Sequence, residues 1–339
     1  MDSSNPAPAE HPYTTLTPDV VIAAVEALGQ RCDGRVLALN SYENRVYQVG
    51  LDEAAPVVAK FYRPGRWPTP AILEEHAFAL ELAAAEVPVV PPVVQDGRSL
   101  FEAGGFRYAV YPRQGGRWPE LGRADERAQM GRFLGRIHAI GATRTFRYRP
   151  QLDWRVLGGE TMDYLLEAGW IPPHLERAYE TLAEDLLAIV EQRFAELTPY
   201  RVTRLHGDCH PGNVLWTDAG PHFVDLDDCM TGPAMQDLWM LLSGSREEMS
   251  VQLGDLLEGY VAFADFDYRE LALVEPLRTL RIMHYAGWLA RRWDDPAFPI
   301  AFPWFEEPKY WEQHVLNLRE QLAAMQEPPL SPSKGDRFI

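Results

Sequence analysis

Between Leu205 and Asp228 the chain reads LHGDCHPGNVLWTDAGPHFVDLDD, which gathers five aspartates, three histidines and a cysteine into 24 residues. A nitrogen and sulfur site is the first chemistry to weigh. His206, Cys209 and His210 supply such donors, but no HExxH motif is present and no second ligand pair follows. Gly207 and Pro211 also disfavour the helix that would put both imidazoles on one face. His206 therefore reads as a structural histidine, Cys209 and Cys229 as small buried side chains, and Asp218 as a turn former. An oxygen site fits better. Asp208, Asn213 and Asp225 all offer oxygens. Two such ligands without a full protein cage suit Mg2+, which keeps its waters and takes further ligands from substrate phosphates. The spacing HGDxxxxN, followed by an aspartate at the end of the next strand, has the form of a phosphotransfer site. In that reading Asp208 is the base for an acceptor hydroxyl, Asn213 and Asp225 are metal ligands, and Asp225 is catalytic through its metal. Asx-turn chemistry explains any one of the three, but not their spacing.

Short elements must position these groups. Asn213–Trp216 and His222–Asp225 carry strand signals around the turn formers Thr217 to Pro221, so they are expected to form a hairpin. With its centre near Ala219, Asn213 would lie directly opposite Asp225 on one face. A nucleotide site needs a counterpart earlier in the chain. In VVAKFY, alternation puts Val58, Lys60 and Tyr62 on one strand face, so that Lys60 reaches phosphates and Val58 covers a flat base. A lone strand lysine is more often a solvated edge charge. The following helix offers Glu74 and Glu75 as partners for Lys60; helical periodicity does not decide between them, and Glu75 is carried as the site residue. The turn Ser41-Tyr-Glu-Asn44 sits where a phosphate-covering loop belongs, yet contains no glycine. Its amides and the Ser41 hydroxyl suit a phosphate contact as well as they suit an ordinary hairpin turn.

The wider chain divides into two parts. Thr17-Pro18 caps a first helix, VLALNSYENRVYQVG reads as strand, turn and strand, APVVAKFYRP as a third strand, and Thr69-Pro70 caps a second helix. VPVVPPVV is extended, and RSLFEAGGFRYAVYP is a hairpin turning at Gly104-Gly105. After the connector QGGRWPELG, helices are expected over 123–141, 174–196, 247–264 and 269–293. The fold class is thus α+β, with a flexible leader (1–18), a β-rich N-lobe (19–111), a mainly helical C-lobe (112–326) and a disordered tail (327–339). A cleft between the lobes is implied.

Composition limits the partners. The 339 residues are 46% hydrophobic and 11% aromatic, as in a well-packed globular protein. A formal net charge of −17 with no basic run disfavours nucleic-acid and anionic-membrane binding. Three scattered cysteines favour a reducing compartment, and no signal peptide or membrane span is visible, so a cytoplasmic location is expected; a monomer is taken as the expectation although the sequence carries no signal of oligomeric state.

These elements in this order resemble the aminoglycoside phosphotransferase and choline kinase superfamily, whose bilobal fold is that of protein kinases. LHGDCHPGN looks like its catalytic loop, FVDLDD like its metal-binding segment, and GPAMQDLWML like the helix after it, where Asp237 supports the loop. The stretches LNSYENRVYQV, KFYRPGRW, ILEEHAFALEL, EVPV, GPAMQDLWMLL and RRWDDPAFP are similar to the stress response kinase A family, of the YihE and RdoA type. That resemblance implies a bacterial serine/threonine protein kinase using ATP with Mg2+. Asp208 would be the proton acceptor, Asn213 and Asp225 the metal ligands, Lys60 the phosphate lysine, and Ser41 would lie at the ATP site. Asp227 is an additional candidate for a second metal or the acceptor. Two departures from eukaryotic protein kinases stand out: the loop lacks a glycine pattern, and only eleven residues separate Asp225 from Asp237, too few for a long activation segment. In EPLRTLRIMHYAGWLARRWDD, Arg291 and Arg292 beside Trp288 and Trp293 would line the acceptor side or, as apolar periodicity favours, snorkel from a core helix. The expected activity is ATP-dependent transfer to a protein Ser or Thr. A small-molecule kinase of the aminoglycoside, choline or homoserine type, and a nucleotide-binding module without turnover, are the alternatives.

Overall fold

A computed structural model describes residues 12–333. In chain order its first elements are α1 (Pro18–Glu26), β1 (Cys32–Ala38), β2 (Arg45–Leu51), β3 (Ala54–Phe61), α2 (Thr69–Ala84), β4 (Phe101–Ala103) and β5 (Phe106–Pro112). There follow α3 (Ala124–Gly141), α4 (Glu160–Glu167), α5 (Glu176–Leu197), β6 (Thr203–Leu205), β7 (Val214–Thr217), β8 (Gly220–Phe223) and β9 (Met230–Gly232). The last are α6 (Met235–Leu238), α7 (Arg246–Tyr260), α8 (Val274–Arg291), α9 (Ala297–Ala301) and α10 (Pro308–Gln326). This is the expected mixed α+β composition. The described residues form two compact units, one within 1–76, 91–113 and 292–303, the other within 77–90, 114–291 and 304–339. The division thus departs from a single boundary at 111/112: residues 77–90 join the helical unit, and 292–303 return to the sheet unit.

The first unit is built on an antiparallel sheet of order β1-β2-β3-β5-β4. Its central strand β3 pairs on both sides, Lys60 opposite Val46 of β2 and Ala109 of β5, which fixes the backbone that carries the lysine. The pleat sends alternate residues to opposite faces. Ala59 and Phe61 join the core against α1 with Val21, Ala24, Val25, Val49 and Tyr108, whereas Tyr62 and Ala109 pack with Ile72 of α2. Helix α1 starts as its sequence dictates: the Thr17 hydroxyl accepts from the Val20 amide and Pro18 takes the first position. Residues 12–15, expected as part of a free leader, form a 3-10 turn whose Tyr13 ring stacks on Phe106 at 5.6 Å. The part of that leader before residue 12 lies outside the described residues.

In the second unit α3 and α7 touch along their backbones. A Cβ added at Gly131 would strike the Leu256 carbonyl, and one at Gly259 the Ala128 carbonyl, so this contact requires glycine on both helices. Helix α5 buries Tyr179, Leu182, Leu186 and Val190 beside α10, which buries Trp311, Val315 and Leu318. Two small hairpin-like pairs, β6 with β9 and β7 with β8, stand beside these helices. The tail expected to be disordered from 327 onward is instead packed as far as it is described: Leu330 is buried and the Ser333 amide donates to the Ser250 carbonyl at 3.0 Å. Residues 334–339 lie outside the described part. Among the described residues no helix is long and apolar enough to cross a membrane.

Candidate active site

Asp208 stands on the loop between β6 and β7, and that loop is tied down at several backbone groups. The two oxygens of Asp237, on α6, accept the His206 and Gly207 amides at 2.8 Å each, and the Gln236 amide donates to the Gly207 carbonyl at 2.9 Å. Gly207 has φ +86°, and an added Cβ would strike the Asp228 carbonyl, so no other residue fits there. Asp237 is itself fully buried and accepts from His138 Nε2 at 2.9 Å. A carboxylate only accepts, so the His138 proton sits on Nε2 and Nδ1 takes the Tyr260 hydroxyl proton at 2.9 Å. Cys209, next to Asp208, is fully buried, which pushes its thiol well above its ordinary value. His206 Nε2 donates to the Val224 carbonyl at 2.9 Å, which gives this histidine a scaffolding role.

The Asp208 carboxylate meets three groups. The Asn213 side-chain amide donates to its carbonyl at 3.0 Å and to its Oδ2 at 3.4 Å. His210 Nδ1 accepts the Gly212 amide, which places the ring proton on Nε2, 3.5 Å from Asp208 Oδ2. Arg281, from α8, donates to Oδ1. Burial alone would raise the Asp208 carboxyl, but the His210 hydrogen bond and the Arg281 charge outweigh it and hold the group below the usual carboxylate range. The carboxylate is thus ionised and aimed by its neighbours.

In the first unit Lys60 Nζ lies 3.4 Å from Glu75 Oε1, with the two side chains 7% and 3% exposed. The choice that periodicity left open between Glu74 and Glu75 falls to Glu75. The Tyr62 hydroxyl reaches the same oxygen at 3.5 Å, and the Lys60 ammonium lies 5.0 Å from the Tyr62 ring centre. Lys60 is therefore not a solvated edge charge. Val58, half-buried, pairs with Gln48 and Tyr111 on the neighbouring strands. The Ser41 hydroxyl donates to the Asn44 carbonyl at 3.2 Å, so its loop is closed by its own side chain.

Residues 35–274 match the phosphotransferase enzyme family. The chain belongs to that family. Stress response kinase A of Escherichia coli (strain K12) is 45% identical to this phosphotransferase over 318 residues, covering 94% of this chain and 96% of its own. The serine/threonine protein kinase RdoA of Salmonella typhimurium is 43% identical over the same shares. Among solved structures, an amicoumacin kinase in complex with AMP-PNP, Ca2+ and Ami superposes with a TM-score of 0.70 at 19% identity, over 93% of this chain and 95% of that one.

One expectation about the phosphotransferase site needs correcting. The β7–β8 register pairs Val214 with Phe223 and Thr217 with Gly220, so the hairpin centre falls between Asp218 and Ala219. Asn213 consequently faces Val224, whose amide it accepts at 3.0 Å, and not Asp225. Asn213 closes a 3-10 turn (Pro211–Asn213), and Asp225 follows the strand in a left-handed conformation, φ 58° and ψ 67°. A half-residue shift in the turn is enough to move the partner by one position. The chemistry of the two side chains still suits a hard cation: the Asn213 nitrogen is engaged with Asp208, which leaves its amide oxygen as a donor, and Asp225 is an exposed carboxylate. Among the described residues no three or more His, Cys, Asp or Glu converge to hold a metal.

Sequence reading missed Arg281, His138 and Arg149. Arg149 is buried and donates to the carbonyls of Asp227 and Cys229, fixing the segment after Asp225. His138 lies in the apolar run of α3, with no spacing signal to set it apart. Of the two arginines singled out at the end of α8, Arg291 donates to the Glu160 carbonyl at 3.1 Å, whereas Arg292 reaches Glu43 in the first unit.

Proposed function

We propose that this phosphotransferase is an ATP- and Mg2+-dependent serine/threonine protein kinase acting in a stress response. The observation that carries the chemistry is Asp208: an ionised carboxylate, oriented by Asn213, His210 and Arg281, on a loop clamped from behind by Asp237. Its part is to accept the proton of the acceptor hydroxyl. Lys60, held by Glu75, neutralises ATP phosphate charge, Val58 covers the base, and Ser41 contacts the phosphates. Asn213 and Asp225 would hold Mg2+, with Asp227 as a supporting group. Bound there, the ion supplies charge neutralisation on the transferring phosphoryl group. The choice of a protein acceptor rests on the relatives named stress response kinase A and serine/threonine protein kinase RdoA, at 45% and 43% identity.

A small-molecule acceptor is the second reading, favoured by the likeness to the amicoumacin kinase fold. The two separate in one assay. Purified protein and its Asp208→Asn variant are given labelled ATP with a generic protein substrate and, in parallel, a panel of amino alcohols and aminoglycosides. Label on protein Ser or Thr, at least a hundredfold lower in the variant, is expected. Equal activity in the two proteins removes Asp208 as the base, and label confined to a small molecule replaces the acceptor.

A further inference from the structure

The motif RRWDDPAFP has no role in the chemistry above, yet it is where the chain re-enters the sheet unit. There it contacts the loop that carries Ser41. Arg292 Nε lies 3.0 and 3.1 Å from the two oxygens of Glu43. Asp295 takes a terminal nitrogen of Arg45 at 2.8 Å on both oxygens and one of Arg63 at 2.7 Å. The same two arginines hold the loop backbone: Arg45 donates to the Tyr42 carbonyl at 3.0 Å, and Arg63 to the Tyr42 and Glu43 carbonyls at 3.1 and 2.9 Å. Asn44 Oδ1 accepts the Arg63 amide at 3.1 Å, and the Tyr42 ring lies 4.8 Å from Phe302 and 6.3 Å from Phe298. The Asp295 side chain is 1% exposed and those of Arg63 and Glu43 are 10% and 13% exposed, so these ion pairs are shielded from water.

We propose that the 292–303 segment is a clamp that sets the Ser41 loop for ATP, with Asp295 and Arg292 as positioning residues. It deepens the ATP-site reading of Ser41 and rests on it. The physical need is plain. A glycine-rich loop approaches phosphates through bare, adaptable backbone, whereas Asn40–Asn44 has only side-chain-bearing residues and must be preorganised instead. Its carbonyls at 42, 43 and 44 are all occupied by donors from Arg45, Arg63 and Ser41, which fixes the course of the loop backbone. The arginines that do this are in turn fixed by one carboxylate from 250 and 232 residues further along. The Ala297 amide also donates to that carboxylate, at 3.1 Å.

The test measures Mg-ATP affinity by calorimetry and the turnover constants for wild type, Asp295→Asn, Arg292→Ala and Arg292→Lys. Asparagine keeps the shape of Asp295 and loses its charge. A rise in Kd and KM for ATP on the order of tenfold is expected in Asp295→Asn, with a smaller rise in Arg292→Ala, kcat within about twofold and the acceptor KM unchanged. Arg292→Lys is expected to recover most of the affinity that Arg292→Ala loses. A wild type that binds ATP while all variants bind it equally overturns the clamp and leaves the ATP reading standing. A wild type that binds no ATP overturns both. Should Asp295→Asn not fold, the Arg292 pair decides, because Arg292 is a quarter exposed and the lysine control shares its charge.

Discussion

Lys60 and Glu75 form the sort of buried ion pair whose removal has two separable effects. Taking away one partner leaves the other charge in a site that is 7% and 3% exposed, and breaking such a pair costs about 3–5 kcal/mol. Lys60→Met is therefore expected to lower the melting temperature and also to weaken ATP use. Lys60→Met with Glu75→Gln removes both charges and is expected to regain most of the lost stability while ATP turnover stays down at least tenfold. Thermal unfolding and steady-state kinetics on the same preparations check this; turnover that recovers along with stability would reduce Lys60 to a structural ion. Lys60, Asp208, Asn213 and Asp225 could be singled out as candidates in the sequence because their types and spacing point to one chemistry. Their pairing was less legible. The Asn213–Asp225 register failed by one position because a turn centre cannot be located to half a residue from TDAGP alone. Arg281 was invisible because nothing in α8 marks which of its arginines faces a loop 73 residues away.

Periodic helices and β-branched strands declared themselves at the level of elements. The helices expected over 123–141 and 174–196 are found at Ala124–Gly141 and Glu176–Leu197, and the hairpin at Gly104-Gly105 has both glycines at positive φ, 56° and 83°. Short α6 resisted prediction of its support, because what holds it is tertiary. Glu270, from the 3-10 segment Tyr268–Leu273, is 2% exposed and accepts the Met235 amide at the start of α6 at 2.9 Å. Burial pushes its carboxyl from 4.5 up to about 7, with nearby Asp267 adding to the rise against the hydrogen bonds from Met235 and Ala234. Between those two values the folded chain holds a proton that the unfolded chain has released. Stability contributed by this group is therefore full below about pH 4.5 and is lost as pH rises toward 7, by about 3 kcal/mol at most. Glu270→Gln keeps an acceptor for Met235 and has no proton to lose. Its stability relative to wild type is expected to improve steadily between pH 5 and pH 7 and to level off above that, in denaturant titrations at each pH. Parallel curves for the two proteins would show that Glu270 does not titrate there. Because α6 carries Asp237, the same charge sits one step from the loop that aims Asp208.

Over the whole molecule the fold and the transfer chemistry are shared widely, and the acceptor is what the fold alone does not fix. A structure at 19% identity keeps the architecture with a TM-score of 0.70, and a shared fold does not by itself name a substrate. The segment from Leu226 to Gln236 is short, its β9 is paired with β6, and Thr231 is its sole hydroxyl residue, so it offers little room for control by phosphorylation within it. Net charge is the property of the whole chain that bears on the choice of acceptor. At −17 the protein attracts cationic acceptors over distances where salt screening matters, about 10 Å at 0.1 M ionic strength. At Asp208 itself one negative charge is already neutralised, because Arg281 occupies one carboxylate oxygen. For the protein acceptor proposed above, the long-range field acts on lysines remote from the acceptor hydroxyl, as in a serine peptide with remote lysines. Raising NaCl from about 20 mM to about 300 mM is accordingly expected to lower kcat/KM for such a peptide by on the order of tenfold, with an uncharged peptide changing less than about twofold. The measurement is initial-rate transfer at fixed Mg-ATP across the salt series, and equal salt responses for the two peptides would mean that the net charge plays no part in choosing the acceptor.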